Sequence, residues 1–193
     1  MLTWIPWIIA ATAGFEMSFP DGVILVAIGG LGPTIAAIIM LYRYGDTATR
    51  KDYWDRAISF KRISAKWYII LFIIVPVILL ISIAISTFFG KPFGAQLLER
   101  QYLENPLILI PFVVFVFFFG PLPEELGWRG YALDGLRVRS NGLIASLILG
   151  VVHAAWHIPL FYIEGYPLRD YLAQPLMMIV YFALIIPKAV VMT

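Results

Sequence analysis

Residues 106–133 read PLILIPFVVFVFFFGPLPEELGWRGYAL, an apolar run that ends in two adjacent glutamates. The first seventeen of these residues carry no charge and are rich in Phe, which is typical of a membrane-spanning segment. Glu124 and Glu125 follow after Pro123, and Arg129 stands four residues after Glu125. Charged side chains are costly at a bilayer and are retained there mainly for function. The stretch therefore indicates a helical membrane protein and the position of its functional site.

The composition of the whole chain supports the same class. Hydrophobic residues form 61% of the 193 residues and charged residues only 13%, whereas soluble domains have roughly half and about a quarter. The chain has no cysteine, which excludes disulfide bonds and thiolate nucleophiles or ligands. We expect an all-α, polytopic bundle of transmembrane helices in which residues 1–193 form a single domain. The lipid bilayer is an expected partner, and no nucleic-acid partner is expected.

Six apolar runs without charged residues are the predicted membrane spans. Two of them are short for a layer of hydrocarbon about 30 Å thick, namely the opening run Leu2–Phe15 and the Phe-rich run Pro106–Leu122. The other four are long enough to cross it: Gly22–Tyr42, Trp67–Gly90, Gly142–Ile163 and Leu172–Pro187 onward.

The segments between these spans differ in their number of basic residues. Segments 43–66 and 124–141 together carry ten Lys and Arg, whereas the alternate loops carry only Lys91, Arg100 and Arg169. Basic residues favour the cytoplasmic side of a membrane. The distribution therefore predicts that the glutamate pair and both chain termini are cytoplasmic.

The segment that follows Pro123 has the features of a helix start. A proline is tolerated in the first helical turn, and acidic side chains are favoured there by the helix dipole. Glu125 and Arg129 are four residues apart, so we expect them to form an ion pair on one helix face. Glu124 points about 100° away from Glu125 and is free to act as a general base. The alternative is an interfacial helix start with two solvated acids and a surface ion pair.

The chain has only two histidines, His153 and His157, which lie four residues apart in the next predicted span. They share one helix face, and Pro159 is expected to bend or end the helix just beyond them. Zinc held by both imidazoles and a glutamate is one candidate site. Metal-free hydrolysis, in which a glutamate and a histidine activate water, is another. Haem is disfavoured, because histidines four residues apart on one helix cannot take opposite axial positions.

These residues resemble two motifs of the CPBP family (also called ABI) of CAAX and bacteriocin-processing intramembrane proteases. The first motif, Glu-Glu-x-x-x-Arg, is matched by Glu124-Glu125-Leu-Gly-Trp-Arg129. The second places an aromatic residue four positions before a histidine and is matched by His157, with His153 at the aromatic position. The resemblance covers roughly residues 113–161. It implies an endopeptidase that cuts near the cytoplasmic membrane face and acts on peptide or protein substrates, which are prenylated in the eukaryotic branch.

The resemblance also implies roles for individual residues. Glu124 is then the water-activating base, and Glu125 is the second motif acid, oriented by Arg129. His157 acts with Glu124 on water or as a metal ligand, and His153 is a further candidate metal ligand beside Glu124 and His157. The implied location is the bacterial plasma membrane. Zinc chemistry and a metal-independent glutamate mechanism both stay open, as does the oligomeric state.

The family has a third motif, His-x-x-x-Asn, but no histidine follows His157 in this chain. We therefore expect the chain to be incomplete at its carboxyl end, as a fragment or an inactive paralogue. One alternative function is a non-catalytic membrane protein on the same scaffold, with a bacteriocin-immunity or partner-binding role. Another is a small transporter with a Glu/His proton relay, but the sequence shows no inverted repeat to support it.

Overall fold

The computed structural model describes residues 1–17, 21–89, 105, 107 and 109–192, and the regular structure in these residues is entirely helical. The predicted all-α class is thereby confirmed. Gly90 and Pro106, which bounded two predicted spans, and the loop residues Lys91 and Arg100 lie outside the described residues. The α-helices are α1 (Trp4–Thr12), α2 (Asp21–Gly30), α3 (Gly32–Tyr44), α4 (Thr47–Ile58), α5 (Ala65–Phe88), α6 (Leu109–Phe119), α7 (Pro121–Gly127), α8 (Leu133–Arg137), α9 (Gly142–Trp156) and α10 (Pro175–Val191).

Shorter helical turns connect several of these helices. The π-helical turn Trp128–Ala132 joins α7 to α8. The 3-10 helix Ile158–Tyr162 follows α9, and Arg169–Ala173 precedes α10. Pro159 lies at the start of the first of these 3-10 helices, so the α-helix ends where the sequence predicted.

Several helical stretches confirm the predicted membrane spans. Within the described residues, four stretches are long and apolar enough to cross a bilayer: Asp21–Tyr44, Ala65–Phe88, Ile110–Arg137 and Gly142–Tyr162. The last predicted span forms the 17-residue helix α10. The first predicted span contains only the nine-residue helix α1, which is shorter than the about 20 residues that a crossing helix needs.

The glutamate motif lies on a helical extension of a span, whereas the apolar runs of the sequence predict a loop at this position. The helical stretch Ile110–Arg137 has 28 residues and includes Glu124, Glu125 and Arg129. Gly120, with φ −117° and ψ −102°, separates α6 from α7 within this stretch. A prediction from hydropathy ends this span before Glu124, the first charged residue, although the helical stretch continues to Arg137.

The chain divides into two compact units. One unit comprises Met1–Ala57 with Val116–Thr193 and holds both motifs, and the other comprises Ile58–Phe115. In the second unit, the described side chains of α5 are all exposed or half-buried. Such exposure of an apolar 24-residue helix fits contact with lipid.

Tryptophans form the core of the first unit around the end of α9. Trp7 is 2% exposed and packs on Trp156 with ring centroids 4.6 Å apart. The indole of Trp7 donates to the carbonyl of Val26 at 3.0 Å, and that of Trp4 donates to the carbonyl of Trp156 at 3.1 Å. Leu160 belongs to the same buried cluster. This packing holds the part of α9 that carries both histidines.

Polar contacts hold α7 against α3 and α4. The hydroxyl of Thr34 donates to the carbonyl of Pro123 at 2.6 Å, and the hydroxyl of Tyr53 donates to that of Leu126 at 3.2 Å. Burial raises the pKa of the Tyr53 phenol, so this group stays a protonated donor. These bonds limit the rotation of α7 about its axis and therefore the directions of its glutamates.

A close approach of α7 to α3 gives a testable prediction at Gly127. A Cβ atom built there would lie 2.3 Å from the Cβ of Pro33 and 2.4 Å from its carbonyl carbon. Gly127→Ala should therefore force the two helices apart and destabilise the protein by about 1–3 kcal/mol. The measurement is the thermal unfolding temperature of the purified protein in detergent.

Gly135→Ala is the matched control, because a Cβ at Gly135 would meet nothing within 4 Å. Alanine is the better helix former by about 1 kcal/mol, so the control should be as stable as the parent or more stable. Equal unfolding temperatures for the two variants would contradict the close packing of α7 on α3.

Candidate active site

Glu124 lies in the first turn of α7 and is directed toward α9. Its side chain is 23% exposed, and the helix dipole favours an anion at this position. Oε2 of Glu124 lies 3.0 Å from Nε2 of His153. Glu124 is therefore in direct contact with the imidazole of His153, a residue that lies 29 positions further along the chain.

The predicted ion pair between Glu125 and Arg129 is confirmed. Nη1 of Arg129 lies 2.6 Å from Oε1 of Glu125, and the arginine side chain is only 13% exposed. The guanidinium neutralises this carboxylate and fixes its direction. The two adjacent glutamates thus have different partners, an arginine for Glu125 and a histidine for Glu124.

His153 is 5% exposed and lies among aromatic rings. Its ring centroid is 5.5 Å from that of Trp128 and 5.8 Å from that of Trp156. His153 therefore packs as an aromatic residue would, while its Nε2 reaches the carboxylate of Glu124. This arrangement explains how a histidine can occupy the position where the motif has an aromatic residue.

His157 caps the carboxyl end of α9 with one ring nitrogen held in place. Its Nδ1 lies 2.9 Å from the backbone carbonyl of His153. Because a carbonyl only accepts hydrogen bonds, Nδ1 carries the proton, and Nε2 of the neutral ring keeps a free lone pair. A hydrogen bond of this kind commonly orients a histidine that binds a metal or acts as a base.

Glu124, His153 and His157 form one cluster in which one ligand atom from each residue lies within 4.8 Å of the others. Two imidazoles and a carboxylate are the protein ligands of several catalytic zinc sites, which keep a further position open. The donor set therefore fits zinc. Sequence reasoning made His157 the partner of Glu124, whereas the direct contact in the structure is with His153.

A cavity of about 590 Å³ lies over this cluster and is also lined by Glu125. Its volume is within the range of sites that bind small molecules. One wall comes from α10 and the turn before it, including Tyr171, Tyr181 and Lys188. Sequence reasoning missed this wall, although a lysine within an apolar helix is a signal that could have identified it.

Tyr166 adds a neutral phenol near the cluster. Burial, and secondarily the negative charge of Glu124, raise the pKa of Tyr166 to about 12. The group therefore stays protonated at neutral pH, as a hydrogen-bond donor within electrostatic range of Glu124.

Comparisons with known proteins agree with this geometry. Residues 106–192, which include both motifs, match the family described as "Type II CAAX prenyl endopeptidase Rce1-like". The protein named CAAX prenyl protease 2 from Methanococcus maripaludis is 29% identical over 168 residues, which are 86% of this chain. The chain spans about 60% of the length of this curated relative. In the part that carries both motifs, this chain is therefore similar to CAAX prenyl endopeptidases.

Proposed function

We propose that the protein is an intramembrane endopeptidase that hydrolyses a peptide bond near the cytoplasmic membrane face. The observation that carries this proposal is the contact of 3.0 Å between Glu124 and His153 at the wall of a cavity that also contains His157. A carboxylate and imidazoles that meet in a membrane protein are the groups needed to activate water. The ten basic residues of segments 43–66 and 124–141 support the cytoplasmic orientation.

In the proposed reaction Glu124 removes a proton from a water molecule, and the water oxygen attacks the carbonyl carbon of the substrate. His153 orients the carboxylate of Glu124 through their contact. Glu124 then gives this proton to the amide nitrogen of the substrate, while the bond between that nitrogen and the carbonyl carbon breaks. His157 lies within reach of the same atoms, and Arg129 keeps Glu125 neutralised nearby.

Zinc is a proposed cofactor because the three clustered donors fit it. Glu124, His153 and His157 would hold the ion, which would supply Lewis-acid polarisation of water and of the substrate carbonyl. With Glu124 engaged as a ligand, Glu125 is the other glutamate that lines the cavity.

The proposed substrate is a membrane-associated peptide or protein that carries a lipid group. The wall of the cavity contributed by α10 includes the apolar side chains of Met177, Val180, Leu184 and Ile185. Such a wall favours apolar substrate residues beside the scissile bond. The family description and the relative's name, which both refer to CAAX prenyl substrates, support a prenylated peptide as the first one to test. Residues 1–193 would then act as a single membrane domain in the plasma membrane.

The test is cleavage of fluorogenic peptides by the purified protein in liposomes, with and without a prenyl group. We expect cleavage of the prenylated peptide at one bond, identified by mass spectrometry of the products. The Methanococcus maripaludis protein serves as the positive control. Failure of this chain to cleave under conditions in which the control is active would contradict the endopeptidase proposal.

Metal removal gives a separate prediction for the cofactor. We expect a chelator to lower the cleavage rate more than tenfold and Zn²⁺ to restore it, with about one zinc per active chain by elemental analysis. The His157→Ala variant should retain less zinc than the parent. Full activity in a preparation that contains no zinc would instead assign the chemistry to Glu124 and the histidines alone.

A further inference from the structure

A groove of about 610 Å³ lies between α8 and the middle of α9. Among the described residues, it shares no lining residue with the cavity over Glu124 and the two histidines. Its wall is mostly apolar and is formed by one face of the helical stretch that ends in α8 and by one face of α9: Trp128, Ala132, Leu136, Ile148, Leu149 and Val152. Gly135 leaves part of this wall without a side chain. The groove is therefore a second site on the protein.

The groove has the length of a lipid chain in one leaflet. Trp128 lines one end and Arg139 the other, and the eleven residues between them correspond to about 16 Å along a helix axis. One leaflet contributes about 15 Å of hydrocarbon, half of a core that is about 30 Å thick. Ile148 and Val152 are exposed on the outer surface of the span Gly142–Tyr162. The groove therefore opens toward lipid and can hold an acyl chain.

Two arginines lie at one end of this groove. Arg139 lines it, and a Cβ on Gly142, the first residue of α9, would lie 3.5 Å from Nη2 of Arg137. In the described part of the chain, neither guanidinium group has a hydrogen bond or an ion pair. Asp134, the acidic residue of α8, is paired with Arg56 at 2.6 Å. The two positive charges are therefore not neutralised by the protein.

The position of these arginines fits the headgroup level of a membrane. They lie at the end of the helical stretch Ile110–Arg137, and Val138 between them is 86% exposed. The distribution of basic residues predicts that this end is cytoplasmic, and the cytoplasmic leaflet is rich in anionic lipids. Guanidinium groups bind phosphate through paired, charge-assisted hydrogen bonds. Charge and position therefore both favour a lipid phosphate at this end.

We propose that α8 and α9 bind one anionic phospholipid, whose phosphate contacts Arg137 and Arg139 and whose acyl chain lies in the groove as far as Trp128. A lipid with a cationic headgroup is disfavoured, because the two arginines repel it. The ring of Trp128 also packs on His153, with centroids 5.5 Å apart. The bound chain therefore contacts a residue that supports the proposed catalytic histidine, although the binding itself does not depend on the endopeptidase function.

The test is lipid binding to the full chain in detergent, measured by native mass spectrometry. We expect phosphatidylglycerol to bind at one site at least tenfold more tightly than phosphatidylcholine. Replacing both arginines, with Arg137→Gln and Arg139→Gln, should lower the affinity for phosphatidylglycerol at least tenfold. The control is Lys61→Gln with Lys66→Gln, which removes two exposed cations that do not line the groove. This control should keep the affinity within about twofold.

A separate variant tests the acyl chain without a change of charge. A Cβ at Gly135 would meet nothing within 4 Å, so Gly135→Leu should fold and fill part of the groove. It should lower the affinity for phosphatidylglycerol at least fivefold. Inorganic phosphate at millimolar concentration should not displace the lipid, because it makes no contact with the apolar wall. The unfolding temperature of each variant shows whether it is folded.

Several results would overturn the proposal. Equal binding of the two lipids to the parent, or equal losses in the arginine and lysine variants, would mean a general attraction of lipid to positive charge. Unchanged affinity in Gly135→Leu, or displacement by inorganic phosphate, would mean an anion site without a bound chain. None of these measurements requires peptide cleavage, so failure of the endopeptidase proposal would leave the test intact.

Discussion

Glu124→Gln is expected to lower kcat for peptide cleavage by about 10²- to 10⁴-fold, the usual contribution of a positioned general base. Glutamine has nearly the same size and keeps an oxygen that can accept a hydrogen bond from Nε2 of His153, so the local structure should persist. It cannot take a proton from water or supply a charged ligand to zinc. The measurement is the initial rate with the prenylated peptide in liposomes, together with the unfolding temperature of each variant.

Glu164→Gln is the matched control for this substitution. Glu164 is exposed, pairs with Arg169 and does not line the cavity over the cluster. Exposed ion pairs contribute little to stability, so the control should keep its rate within about twofold. Comparable activity in Glu124→Gln and the parent would remove Glu124 from the mechanism.

Local features of the sequence predicted a large part of this site. The Glu125–Arg129 pair is a contact between residues four apart on one helix, so it depends only on helix geometry. The end of α9 near Pro159 follows from the missing amide hydrogen and the fixed φ of proline. The long spans follow from apolar runs that match the thickness of a bilayer.

Features that depend on helix packing could not be predicted in this way. His153 and His157 are equivalent by spacing, and only the placement of α7 beside α9 shows that His153 contacts Glu124. The cavity wall on α10 likewise depends on which face of that helix turns toward α9. Hydropathy placed the motif in a loop because charges interrupt the apolar run, although the backbone stays helical to Arg137.

His153→Phe is expected to lower kcat by about 10²-fold, at the lower end of the effect of a positioned acid–base group. Phenylalanine restores the aromatic residue of the family motif and keeps the packing against Trp128 and Trp156. It removes the nitrogen that lies 3.0 Å from the carboxylate of Glu124. The unfolding temperature should therefore stay near that of the parent while the rate falls.

His153→Phe distinguishes two roles of His153, filling an aromatic position and orienting Glu124. If His153 only fills an aromatic position, His153→Phe should cleave at the parental rate, and His157 would be the histidine that acts with Glu124. If His153 orients Glu124, the rate falls and His153→Gln recovers part of it, because the amide can donate a hydrogen bond to the carboxylate. Because the imidazole of His153 is buried and lies 3.0 Å from the carboxylate of Glu124, we expect the second result. The histidine at the aromatic position is then a functional departure from the family motif, since it supplies the contact to Glu124 that an aromatic ring cannot make.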